Sequence, residues 1–224
     1  MPRRKRTRTT STSRLGNAEP FESRSVRKLK QIRRNVASEA ARIMATEGQR
    51  NFAIAKRKAA ERVGLNPGRL ALPSNREVEE ALRAYQGLYG GDDHTRNLED
   101  LRATAVSAMR SLEAFNPRLV GPVLDGTADE YSRISLHVFH DPVDAISLHL
   151  NELGVNYRQE QRRIRWHDGS HRIIDLLVSE LNGFVVEMAL FNLIDLRQAP
   201  PCPVDGRPQK RAPLYEVESL LNAA

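Results

Sequence analysis

The stretch Arg163–Phe191, RIRWHDGSHRIIDLLVSELNGFVVEMALF, decides the fold class. Two dipeptides, Asp168-Gly169 and Asn182-Gly183, punctuate three apolar runs. Asp-Gly and Asn-Gly pairs adopt the positive φ values that tight hairpin turns demand. The runs Arg163 to Trp166, Arg172 to Val178 and Phe184 to Phe191 are therefore expected as antiparallel neighbours. Working back along the chain, Val155 to Arg158 and Ile134 to Phe139 read as further strands. Arg118 to Leu124, bounded by Pro117 and an Asp125-Gly126 turn, reads as another buried strand. Asp141 is expected to cap one intervening helix that passes Leu148 and Leu153 and stops at Gly154. Beyond Phe191, five prolines between Gln198 and Pro213 impose an extended, irregular path. A short helix from about Leu214 to Leu221 follows.

Before Pro117 the apolar spacing is helical. Leu29, Ile32, Val36, Ala40, Ile43 and Met44 recur three and four apart, which predicts a helix over Ser25–Glu47. A second is expected from about Asn51 to Val63, ending at Gly64 with Pro67 and Gly68 beyond. Its basic flank Lys56-Arg57-Lys58 reads as a solvated face. Ser74 followed by Glu77 forms a capping box for a third helix, along which Val78, Leu82 and Tyr85 make a stripe. Gly90-Gly91-Asp92-Asp93 is expected to break it, and a fourth helix is expected from about Asn97 to Phe115. Helices first, then a mainly antiparallel mixed sheet with one crossover helix, define an α+β protein. The expected division is a disordered basic arm over 1–24, a helical region over 25–95 and an α+β domain over 96–224.

The formal net charge of +7 is unevenly placed. Residues 1–34 hold 12 Lys or Arg against Glu19 and Glu22, a local balance of +10 that leaves −3 for the rest. Residues 1–24 have almost nothing to bury, so ordering them is not compensated. Such an arm suits nucleic-acid phosphates, which need charge and no fold; a solubilising tail and an Arg-rich transit peptide are the other readings. No apolar run reaches the roughly 20 residues a membrane span needs. No apolar segment follows the first basic residues as in a secretory signal. Cys202 is the sole cysteine, which rules out an internal disulfide and a thiolate-rich zinc site. A reducing, cytoplasmic setting is expected.

The segment Pro117–Phe139, PRLVGPVLDGTADEYSRISLHVF, resembles the entry motif of the nucleotidyltransferase superfamily, the polymerase-beta-like fold. In that family a strand ends in Gly-Ser or Gly-Gly and the next strand presents Asp-x-Asp or Asp-x-Glu. Gly126-Thr127 matches the first element. Ser132-Arg133-Ile134-Ser135-Leu136 falls where the family has Ser-Asp-Ile-Asp-Leu. The resemblance covers a third to a half of the chain. It implies two divalent metals held by carboxylates, which bind a triphosphate and activate an attacking hydroxyl. Here Arg133 and Ser135 stand at the metal-ligand positions, and neither is the hard anionic donor that Mg²⁺ requires. Asp175 or Glu187 is the candidate for the family's third carboxylate. A register shifted by one residue would bring in Asp129 or Glu130. The resemblance therefore implies a scaffold that binds a nucleotide or nucleic acid without transfer; the alternative is an active Mg²⁺-dependent transferase with atypical ligands.

Other chemistry finds no support in the sequence. There is no Gly-Lys-Ser/Thr phosphate loop and no Gly-x-Ser-x-Gly elbow. His137 and His140 point to opposite faces of a strand and cannot chelate together. His149, His167 and His171 read as structural or solvated. Cys202 lies between prolines with no adjacent base. Arg207, Lys210 and Arg211, following an Asp205-Gly206 turn, offer either a phosphate cradle or a loop pinned by ion pairs.

Overall fold

The computed structural model describes residues 24–66 and 72–222. The arm expected over 1–24 lies outside these residues except for Arg24, and so do Pro67 and Gly68. Helices α1 (Arg24–Glu47), α2 (Phe52–Arg62) and α3 (Asn75–Tyr89) form a three-helix unit. The starts of α2 and α3 have a chemical cause. The Asn51 side chain accepts from the Ala53 and Ile54 amides, and the Ser74–Glu77 capping box is complete. Val36, Ala40, Ile43 and Met44 of α1 pack against Ala55 and Ala59 of α2 and Val78 and Leu82 of α3. Leu29, at one end of the expected stripe, is 52% exposed, because α1 runs on past the unit it packs against.

Helix α4 (Gly91–Ser111) starts six residues earlier than expected, immediately after α3. Asp92 and Asp93 do not break the path; they occupy the first turn of α4, where the helix dipole favours carboxylates. A 3₁₀ turn at Glu113–Phe115 leads into β1 (Arg118–Val120). That strand is only three residues long, since Gly121 and Pro122 turn the chain into the short α5 (Pro122–Asp125). Strand β2 (Ile134–Phe139) follows as expected, then α6 (Ala145–Glu152). Asp141 does not cap α6; its carboxylate accepts from the Leu193 amide.

Strand β3 (Tyr157–Arg165) is one continuous strand where two were expected. Gln159–Arg162 carries no apolar period because β3 is the sheet edge, paired only with β4, and an edge tolerates polar residues on both faces. Strands β4 (His171–Leu181) and β5 (Phe184–Phe191) are joined by a two-residue turn in which Asn182 and Gly183 have φ of 52° and 82°. Helix α7 (Leu214–Asn222) closes the chain. Among the described residues no helix is long and apolar enough to cross a membrane.

The protein is thus α+β, with a five-stranded mixed sheet of order β1-β2-β5-β4-β3. Only β2 and β5 run parallel. One face of the sheet carries Ile134, Leu136, Val186, Met188 and Leu177, packed on Leu101 and Met109 of α4 and on Leu112 just after it, with α6 and α7 completing that core. The other face has a smaller cluster, Phe139, Trp166, Ile174 and Phe191. It is crossed by an irregular strap of residues 198–213.

Gly121 makes the corner between β1 and α5, with φ 73° and ψ −154°, a region essentially reserved for glycine. A Cβ there would meet nothing within 4 Å, so a side chain would be opposed by backbone conformation alone. Gly121→Ala is expected to lower stability by about 1–3 kcal/mol in urea denaturation. A loss under about 0.5 kcal/mol would show that the corner relaxes.

Candidate functional site

Alternation along β2 sends Ile134 and Leu136 into the helix-covered core and Arg133 and Ser135 to the opposite face. The parallel register sets Ser135 beside Glu187 of β5. Glu187 is only 4% exposed, yet it is not isolated. Arg162 reaches across from the edge strand and donates from both terminal nitrogens, at 2.5 and 2.7 Å. Arg133 approaches the same carboxylate at 3.4 Å. A buried carboxylate is tolerated when such a fork satisfies its oxygens. This face of the sheet therefore holds one anion between two guanidinium groups.

Around this cluster lies a cleft of about 690 Å³, walled by the three-helix unit, the Gly121–Thr127 corner, the sheet and the strap. Arg50, Arg83, Arg133, Arg162, Arg207 and Lys210 line it, along with the carboxyls of Glu79, Asp125, Asp129, Glu187 and Asp205. Desolvation raises the Glu79 carboxyl above its ordinary range; Arg83 opposes the shift, and Asp125 and Asp205 add repulsion. Asp125 is also raised by desolvation, against Arg83 and Lys210. Both shifts favour uptake of a proton. Asp129 is spent locally, accepting from the Ser132 hydroxyl at 2.7 Å and the Tyr131 amide at 3.0 Å.

The structure separates the residues singled out from the sequence. Thr127, Arg133, Arg207, Lys210 and Glu187 share the cleft. Thr127 is largely buried, and its carbonyl accepts from Gln86 of α3, which ties the helical unit to the corner. Gly126 does not line the cleft; it ends α5 and faces Arg102 and Leu98 of α4, and Gly121 takes the place expected for it. Asp175 pairs with Gln161 across β3–β4, on the opposite sheet face from Glu187, because the register places it among Leu177 and Leu190. It cannot join a shared metal site.

Arg211 does not line the cleft; it is the root of the strap. It donates to the Asp195 carbonyl at 2.7 Å and to His137 Nδ1 at 3.0 Å, and it lies over the rings of Phe139 and Phe191. Burial lowers its pKa to about 10. Sequence reasoning missed Arg162, Arg50 and Arg83, which carry no motif; the register sets Arg158, through Val178, on the rung of Glu187, and Arg162, beside Ile174, reaches the carboxylate along a diagonal.

Mg²⁺ does not fit these residues: Arg133 is a cation, Ser135 is neutral, and Glu187 is already engaged by two arginines. Among the described residues no group of three His, Cys, Asp or Glu side chains is placed to hold a metal ion. No family model, curated protein or solved structure matches the chain.

Two measurements check this geometry. Arg162→Ala strands the buried Glu187 carboxylate, whereas Glu187→Gln leaves two arginines that reach water. The first is expected to cost about 3 kcal/mol and the second about 1 kcal/mol. The reverse order in chemical denaturation would show that the fork does not stabilise the carboxylate. The second measurement uses His137, whose pKa is lowered from 6.5 to about 3, first by burial and then by Arg211. The unfolded chain takes up this proton below about pH 6.5 and the folded chain does not, so stability falls as pH falls. Between pH 7.5 and 5 the loss attributable to His137 is about 2 kcal/mol. The stability difference between the native chain and His137→Gln should shrink by that amount; an unchanged difference would mean that His137 titrates normally.

Proposed function

We propose that this chain is a nucleotidyltransferase-like protein that binds nucleotide phosphates in the Arg133 cleft without metal-dependent transfer. The observation that supports the reading best is the Arg162–Glu187–Arg133 cluster. Two-metal chemistry needs converging carboxylates to hold cations against the phosphates. Here guanidinium groups take the cations' place, and the single converging carboxylate neutralises part of their charge. Arg133 makes the longer contact and its side chain is 36% exposed, so it is free to meet a phosphate oxygen directly. Arg207 and Lys210 face the same space from the strap, and the cleft has the volume of a small-molecule site.

Nucleotide binding is expected in the presence of EDTA, weakened at least tenfold, about 1.4 kcal/mol, by Arg133→Ala in isothermal calorimetry. No Mg²⁺- or Mn²⁺-dependent transfer of label from any of the four common nucleoside triphosphates is expected. Robust transfer abolished by Glu187→Gln would establish the opposite reading, an active transferase with atypical ligands.

A further inference from the structure

The cleft does not end at Glu187. The same sheet face continues along β5 through Ala189 to Phe191, with Leu176 and Ile174 beside them on β4, under a second cavity of about 620 Å³. Two residues along a strand advance about 7 Å, so Ala189 is one side-chain step past Glu187. Over that step the surface changes from charged to apolar. Ser135, Arg162, Glu187 and Cys202 border both cavities, which makes them one trough with a cationic end and an apolar end.

The roof of the apolar end is braced against collapse. Within the strap, the Cys202 amide donates to the Arg207 carbonyl at 2.7 Å, Gly206 to Cys202 at 2.9 Å and Gln209 to Pro200 at 2.9 Å. Arg211 fastens the strap to the sheet, and the Asn75 side chain fastens the Pro203 carbonyl to the helical unit at 2.6 Å. The chamber is not wholly apolar. His137 lines it, and because its Nδ1 accepts from Arg211, the ring proton sits on Nε2 as a donor. Arg162 and Arg165 also line it; apolar walls, the His137 donor and flanking guanidinium groups suit a flat, weakly polar ring attached to an anion.

We infer that the chamber beneath the strap holds the base of a nucleotide whose phosphates lie among Arg133, Arg207 and Lys210. This assignment rests on the phosphate-binding reading proposed above and adds the part of the ligand that would confer selectivity. It gives the strap a role beyond positioning Arg207: its proline-rich arms form the lid against which the base packs.

The test titrates the full chain, in EDTA, with inorganic triphosphate and with each of the four common nucleoside triphosphates. At least one nucleotide is expected to bind tenfold or more tightly than inorganic triphosphate. Ala189→Leu, which fills the chamber from a half-buried strand position, should abolish that advantage and leave triphosphate affinity within twofold of native. Ile164→Gln, on the edge strand, should reduce the same advantage by making the wall polar, and it carries the test if Ala189→Leu lowers the melting temperature sharply. Equal binding of triphosphate and all four nucleotides would overturn the base assignment while leaving the phosphate site standing. So would an advantage that survives both variants. Failure of triphosphate and nucleotides alike to bind would remove the phosphate reading itself.

Discussion

The parallel pairing of β2 with β5 at the centre of the sheet governs everything else on the open face. Its register puts Ser135 beside Glu187, His137 beside Ala189 and Phe139 beside Phe191. Those three rungs are, in order, the cluster in the cleft, the floor of the apolar chamber and the stack on which Arg211 rests. About 50 residues separate the two strands in sequence, and the crossover helix and the β3–β4 ladder lie between them. A slip of one residue would turn Glu187 into the helix-packed core and bring Val186 to the open face, so the apolar set on the covered side enforces the register. The site is held in place by hydrophobic packing on the side of the sheet away from it.

Glu187 also shows why arginine rather than lysine suits the open face. A carboxylate this deeply buried must have both oxygens satisfied in a fixed geometry, and the planar fork of Arg162 does so from one side chain. Arg133 then makes only a long contact, which leaves its other donors available. A lysine at either position would give a single point contact and a larger hydration cost. The same logic operates under the strap, where Arg211 combines carbonyl, imidazole and aromatic contacts that an ammonium could not make together.

Much of the fold was legible because local chemistry and global topology agree. Asn182-Gly183 requires the turn that it makes, the Ser74–Glu77 box requires a helix start, and the apolar positions Ile134, Leu136 and Val138, alternating with Ser135 and His137, require a strand. Legibility failed where tertiary position overrode local pattern. The polar middle of β3 looks like a break until the strand is known to be an edge. The Gly90–Asp93 cluster does end α3 at Tyr89, but its carboxylates also open α4, a start that the sequence pattern placed later. The site was half legible: Arg133 and Ser135 were singled out by the resemblance to a family motif, and Glu187 as an alternative to Asp175. The separation of Asp175 from Glu187 depends on alternation along the β4–β5 ladder, the contact of Arg162 is a diagonal that strand pairing does not give, and Arg211 cannot be told in sequence from Arg207 and Lys210.

Arg211 and Arg207 are four residues apart and serve opposite ends of one device. Residues that bind an exchangeable anion must stay partly solvated, because a fully desolvated guanidinium has to be matched by permanent acceptors before any ligand arrives. Arg211 has such acceptors for Nε and Nη1, though its buried Nη2 has none, and it therefore anchors. Arg207 is 79% exposed, its nearest carboxylate contact is a long one to Asp205 at 3.9 Å, and it stays available. The strap needs both states in one short segment, since an available cation on an unanchored loop would lose on ordering what it gains on contact. The internal hydrogen bonds of the strap and its prolines remove that ordering cost in advance, so the position of Arg207 over the cleft is set by Arg211 on the far side of the chamber.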